Sequence, residues 1–142
     1  MDSFWLELSE DFFGHEANAI KSWLKNPHSD PWKFDEGCRD ILVPNLDIVG
    51  WYDEFNSDML LFRTMVKEVT TELVRKGSKI IIGPWGHSSV GLSRAGKIDF
   101  GSDSVLNLTS VEIRWFDYWF KSIQNGVDKD APVKIFVMGD IE

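Results

Sequence analysis

The chain has 142 residues, a formal net charge of −8 and a single cysteine, Cys38. That length holds one domain with a real core, and one cysteine excludes an internal disulfide framework. The acidic balance, with no basic patch, argues against a nucleic-acid or anionic-membrane partner. No stretch is long and apolar enough to span a membrane, and Met1-Asp2-Ser3-Phe4-Trp5 lacks the basic and apolar regions of a signal peptide. Together with the lone cysteine, this slightly favours a reducing, cytoplasmic location. Seven Trp and ten Phe suit large cores and aromatic-lined pockets.

Residues 4–13 form a short, aromatic, helix-like piece that ends at Gly14. Residues 17–25 carry Ile20, Trp23 and Leu24 at helical spacing, and Asn26-Pro27 stops them. Residues 28–37, with Pro31, read as loop, so the first 40 residues are expected to be a small helical segment leading into a sheet. An apolar run from Ile41 to Val49 follows. It predicts a strand over 46–49, with Pro44 near the start, where a missing N–H is tolerated. After a turn at Gly50-Trp51-Tyr52-Asp53, Asn56 or Ser57 can cap a helix. Phe62, Val66, Val69 and Leu73 share one face of it, and Gly77 ends it. Lys79-Ile80-Ile81-Ile82 is short, β-branched and apolar enough for a strand buried on both faces. Residues 88–105, rich in Gly, Ser and Asp, read as a long surface loop. A second helix is expected over 107–123, with Leu108, Val111, Trp115, Trp119 and Ile123 as its stripe and Gly126 beyond its end. A last strand is expected over 133–138, reached through Pro132. Strands alternating with helices point to an α/β fold.

Asp53 and His87 each follow a predicted strand closely, the second within Gly83-Pro84-Trp85-Gly86-His87. Open α/β sheets gather their chemistry at this edge, where side chains from several strand ends meet. In a serine hydrolase an imidazole takes the proton of the attacking hydroxyl, and a carboxylate holds that imidazole in one tautomer. Asp53 and His87 stand in the order of the second and third members of a Ser–Asp–His triad. The blander readings are a turn or capping role for Asp53 and a polar loop position for His87.

Two segments resemble the cocaine esterase and Xaa-Pro dipeptidyl-peptidase family. Val43-Pro44-Asn45-Leu46-Asp47-Ile48-Val49-Gly50-Trp51-Tyr52-Asp53 resembles its acid segment, and Ile82-Gly83-Pro84-Trp85-Gly86-His87 its histidine segment. Further similar runs are Pro27-His28-Ser29-Asp30-Pro31-Trp32, Asp99-Phe100-Gly101 and Trp115-Phe116-Asp117-Tyr118-Trp119-Phe120-Lys121. Val133-Lys134-Ile135-Phe136-Val137-Met138-Gly139 resembles the lead into the family's C-terminal β-sandwich. The resemblance covers nearly the whole chain in the family's order. It implies the C-terminal part of an α/β-hydrolase domain: residues 1–40 as the end of a helical cap, 41–131 as hydrolase core and 132–142 as the strand leading toward a β-sandwich. It makes Asp53 the triad acid and His87 the base, and places Phe55 against the acyl group of an ester, amide or short peptide substrate. No cofactor is implied.

The departure from the family is the nucleophile. No Gly-x-Ser-x-Gly elbow occurs in the sequence, and Gly86-His87-Ser88-Ser89-Val90-Gly91 has Val90 where the second glycine belongs. The nucleophile is therefore expected from a missing N-terminal half of the domain, with which this chain would pair. His15-Glu16-Ala17-Asn18-Ala19 begins like a zinc helix motif but has Ala19 at the second ligand position, and His15, His28 and Cys38 show no metal spacing. Trp51 and Trp85 read as core aromatics. The alternative to a hydrolase fragment is a non-catalytic binding or self-associating module derived from the same fold, since a half-sheet exposes a strand edge that invites oligomerisation or pairing.

Overall fold

A computed structural model of the chain describes residue 14 and residues 16–25, 38–53, 57–69 and 71–139. The chain divides into two compact units, Met1–Lys33 and Phe34–Glu142. In the first, helix α1 spans Glu16–Lys25, with Ile20 half-buried and Leu24 exposed. The helix-like piece over 4–13, the loop over 28–37, and His15 and His28 lie outside the described residues, as does the side chain of Trp23.

The second unit is built on three parallel strands in the order β1-β2-β5. Strand β1 spans Leu46–Gly50 and β2 Lys79–Gly83, aligned from Leu46 opposite Lys79 to Gly50 opposite Gly83. Strand β5, Val133–Ile135, lies on the other side of β2, with Ile80 opposite Val133. Two helices, α2 (Ser57–Lys67) and α3 (Glu72–Gly77), connect β1 to β2. Val49, Ile80 and Ile82 form a buried cluster that Met59 and Phe62 of α2 cover. Helix α4, Leu108–Lys121, lies against the opposite face. There Leu46, Ile81, Val111 and Trp115 line a cavity of about 80 Å³. A parallel sheet with helices on both faces is a partial α/β fold.

The helix expected from 56 to 77 is two helices. Val69 and its β-branched neighbours Thr70 and Thr71 disfavour helix at the break, and Arg75 donates a hydrogen bond to the Val69 carbonyl freed there. The change of phase buries Val74 instead of Leu73, and within α2 Met65 is buried while Val66 is only half-buried; Met65, Val69 and Val74 form a second cluster. Helix α4 is capped by Asn107, whose Oδ1 accepts from Ser110 N at 3.0 Å. It ends at Ser122, in the left-handed region with φ 57°, rather than near Gly126, so Ile123 falls outside the helix and is exposed. The loop over 88–105 contains a small antiparallel hairpin, β3 (Arg94–Ala95) with β4 (Ile98–Asp99), closed by an Arg94–Asp99 ion pair. The last strand is shorter than expected, ending at Ile135.

Polar groups tie the base of the sheet to α4. Lys79, almost fully buried, donates from Nζ to Asp130 O at 2.7 Å, and Arg114 of α4 pairs with the Asp130 carboxylate and with Asn125 O.

Asp47 is less well served. It is 8% exposed, and burial pushes its carboxyl up from the ordinary 3.8 to about 6, with the negative charge of Asp58 adding to the rise. Its folded state therefore binds a proton more tightly than its unfolded state. That contribution is fully present below about pH 4 and is lost as pH rises through about 6, a difference of about 3 kcal/mol at neutral pH. Asp47→Asn should raise the unfolding free energy at about pH 7.5 by roughly 2–3 kcal/mol and leave it unchanged near pH 4. Urea titrations of both proteins at the two pH values measure this. Equal stabilities at the higher pH would contradict it.

Candidate active site at the C-terminal edge of the sheet

Past their last sheet residues, β1 and β2 stay together. Trp51 N donates to Gly83 O at 2.8 Å and Tyr52 N to Trp85 O at 2.9 Å, so the turn after β1 is stitched to the extension of β2. Asp53 N closes that turn on Gly50 O at 3.1 Å. The approach requires glycine at the strand ends. A Cβ on Gly50 would stand 2.0 Å from the Trp85 carbonyl oxygen, and one on Gly83 would stand 2.4 Å from the Trp85 ring. Trp85 itself is buried, and its Nε1 donates to Ser104 O at 2.9 Å, which anchors the histidine loop.

These contacts bring the two predicted residues together: His87 Nδ1 lies 3.4 Å from Asp53 Oδ2. The Asp53 side chain is 11% exposed and that of His87 73% exposed. Asp53 Oδ1 is buried and has no hydrogen-bond partner among the described residues. A buried carboxylate behind an exposed imidazole fixes which ring nitrogen carries the proton and leaves the other facing outward. The 3.4 Å separation is longer than a tight charge-assisted bond.

The serines nearby are occupied differently. His87–Ser89 forms a 3-10 turn in which Ser89 Oγ accepts from Gly86 N at 2.9 Å and donates to Gly86 O at 3.3 Å. Ser88 is exposed within the same turn. Neither stands at a strand-to-helix elbow. Ser122, the one described non-glycine residue with positive φ, caps α4 instead. Among the described residues no cluster of three or more His, Cys, Asp or Glu side chains can hold a metal, and Cys38 is buried in a 3-10 turn. Nor is any described helix long and apolar enough to cross a membrane.

Phe55 lies outside the described residues. Trp51, expected in the core, is 38% exposed; its Nε1 donates to Phe136 O at 2.9 Å, tying the acid turn to the segment after β5. Two features escape a reading of the sequence. Asp58, in the first turn of α2, has its carboxyl raised by burial and then by the charge of Asp53, so a second carboxylate stands near the acid. Tyr52, Phe100 and Phe136 form an aromatic row with centroids 5.9 and 6.1 Å apart. Phe100 and Phe136 also line a groove of about 630 Å³ with Ile98 and Met138. The signal for it was Asp99-Phe100-Gly101, whose glycine has φ 76°. Compared with known proteins, the chain matches no family model and no curated protein sequence.

Proposed function

We propose that this chain is the C-terminal part of an α/β-hydrolase domain of the cocaine esterase and Xaa-Pro dipeptidyl-peptidase type, acting on esters, amides or short peptides. The observation that carries the reading is the approach of His87 Nδ1 to the buried carboxylate of Asp53 at the ends of adjacent parallel strands. In this reading His87 Nε2 removes the proton from a serine hydroxyl supplied by the missing N-terminal half of the domain. The serine oxygen attacks the substrate carbonyl carbon, and His87 then gives the proton to the departing alcohol or amine. Water repeats the sequence to release the acid. Asp53 holds the imidazole with Nε2 free to accept and stabilises the imidazolium in each half-reaction. The chain alone, without a nucleophile, is inert.

A second reading, a non-catalytic binding module, is favoured by one observation: Ile113, Phe116 and Phe120 of α4 are all at least half exposed or nearly so, and the two Phe rings stack at 5.3 Å. To separate the readings, the chain is expressed in frame with the coding region upstream of its Met1 codon and assayed on p-nitrophenyl esters. Turnover blocked by a fluorophosphonate supports the hydrolase. A folded product without turnover supports the binding module.

A further inference from the structure

The charges at the base of the sheet are unevenly matched. Lys79 opens β2 and is almost fully buried, and its Nζ donates to the carbonyl oxygen of Asp130 at 2.7 Å. The Asp130 carboxylate is turned to Arg114, which meets it with both terminal nitrogens. Among the described residues no carboxylate forms an ion pair with Lys79. Burial holds its amine below the ordinary 10.5, although Asp130 and Asp128 act the other way, and Lys134 adds a further positive charge. The neighbouring carboxylates therefore do not make good what this ammonium loses by leaving water.

Lys79, Arg114, Asp130 and Lys134 also line the cavity under α4, and its charged groups meet around Asp130. Elsewhere its wall is apolar, with Ile81 of β2, Val111 and Trp115 of α4, and Val127. Each side-chain nitrogen of Arg114 already donates to Asp130 or Asn125. Lys79 keeps further N–H donors beyond the one given to Asp130 O. An ammonium at one side of an apolar cavity suits a molecule with one negative end and an apolar body. A phosphate or sulfate would find too few donors there, and a cation would meet like charge. Size narrows the class. An apolar cavity of about 150 Å³ admits a benzene ring. This one, of about 80 Å³, admits a carboxylate of about two or three carbons.

We propose that the cavity between β2 and α4 binds a short aliphatic carboxylate, with its anion on Lys79 Nζ and its methyl or ethyl group against Ile81, Val111 and Trp115. The site lies at the opposite end of β2 from Gly83, where the histidine loop begins. Nothing in it requires Asp53 and His87 to act in a triad.

The test is titration of the full chain with sodium propionate, followed in ¹H–¹⁵N correlation spectra at constant ionic strength. Saturable shifts are expected at the Ile81 and Val111 amides and the Trp115 indole N–H, with the signals around His87 unmoved. Propionamide, of the same shape but uncharged, should bind at least about tenfold more weakly. Hexanoate, too long for the cavity, should not compete. In Lys79→Met, propionate and propionamide should bind alike. The comparison of ligands uses the unaltered chain, so it decides the matter even if Lys79→Met fails to fold. No saturable binding, equal binding of propionamide, equal shifts from sodium chloride, competition by hexanoate, or shifts centred elsewhere would each overturn the proposal.

Discussion

His87→Ala in the domain completed by its serine-bearing half should lower kcat by about 10⁶-fold, and Asp53→Asn by about 10⁴-fold, with KM little changed in either. The loss falls on kcat because neither side chain holds the substrate in the ground state. The imidazole is needed when the serine proton moves, and the carboxylate when the imidazolium forms. The two losses should not add, because Asp53 acts only through His87. In the structure the Asp53 carboxylate lies buried behind the exposed His87 ring, 3.4 Å away, so in the proposed mechanism it acts through that ring. Measuring steady-state hydrolysis by the two single variants and the double variant checks this. Activity that survives His87→Ala would remove the histidine from the chemistry.

Gly50→Ala should cost about 3 kcal/mol or more of folding stability, although alanine adds a single methyl group. A Cβ at Gly50 would meet the Trp85 carbonyl oxygen and carbon at 2.0 and 2.5 Å. Those are backbone atoms of the loop that carries His87, so no side-chain rotation relieves the clash. The strand ends would have to part, breaking the Tyr52 N to Trp85 O bond that holds the acid turn against the histidine loop. Gly139→Ala is the control. Nothing lies within 4 Å of the position a Cβ would take there, and its effect should stay within about 0.5 kcal/mol. Urea unfolding of the two variants measures the contrast, and similar stabilities would show that Gly50 is not needed for the strand ends to meet.

The strands and the placing of Asp53 and His87 were legible in the sequence because they depend on local signals. Short apolar runs bounded by Gly50 and Gly83 gave β1 and β2, and a carboxylate and an imidazole stood just beyond them. The stripe of Leu108, Val111, Trp115 and Trp119 gave α4 for the same reason. What failed depended on backbone conformation that composition does not reveal. The break between α2 and α3 shifts the helical phase, so apolar spacing counted across it selects Leu73, which is exposed, over Val74, which is buried. Ile123 matches the α4 stripe by count alone, because Ser122 has already left the helix. Trp51 was expected inside, yet a turn directs it toward Phe136, a residue 85 positions away whose proximity no local pattern announces. Nor does any local pattern show that Asp47 is buried with Oδ2 unsatisfied among the described residues.

The most direct test of the pairing at the strand ends is the tautomer of His87, read from long-range ¹H–¹⁵N correlations of the folded chain at a pH where the ring is neutral. If Asp53 orients the imidazole, the proton resides on Nδ1, and Asp53→Asn moves it to Nε2. An Nε2 proton in the unaltered chain, or a tautomer indifferent to Asp53→Asn, would mean that the carboxylate and the ring are neighbours without being partners.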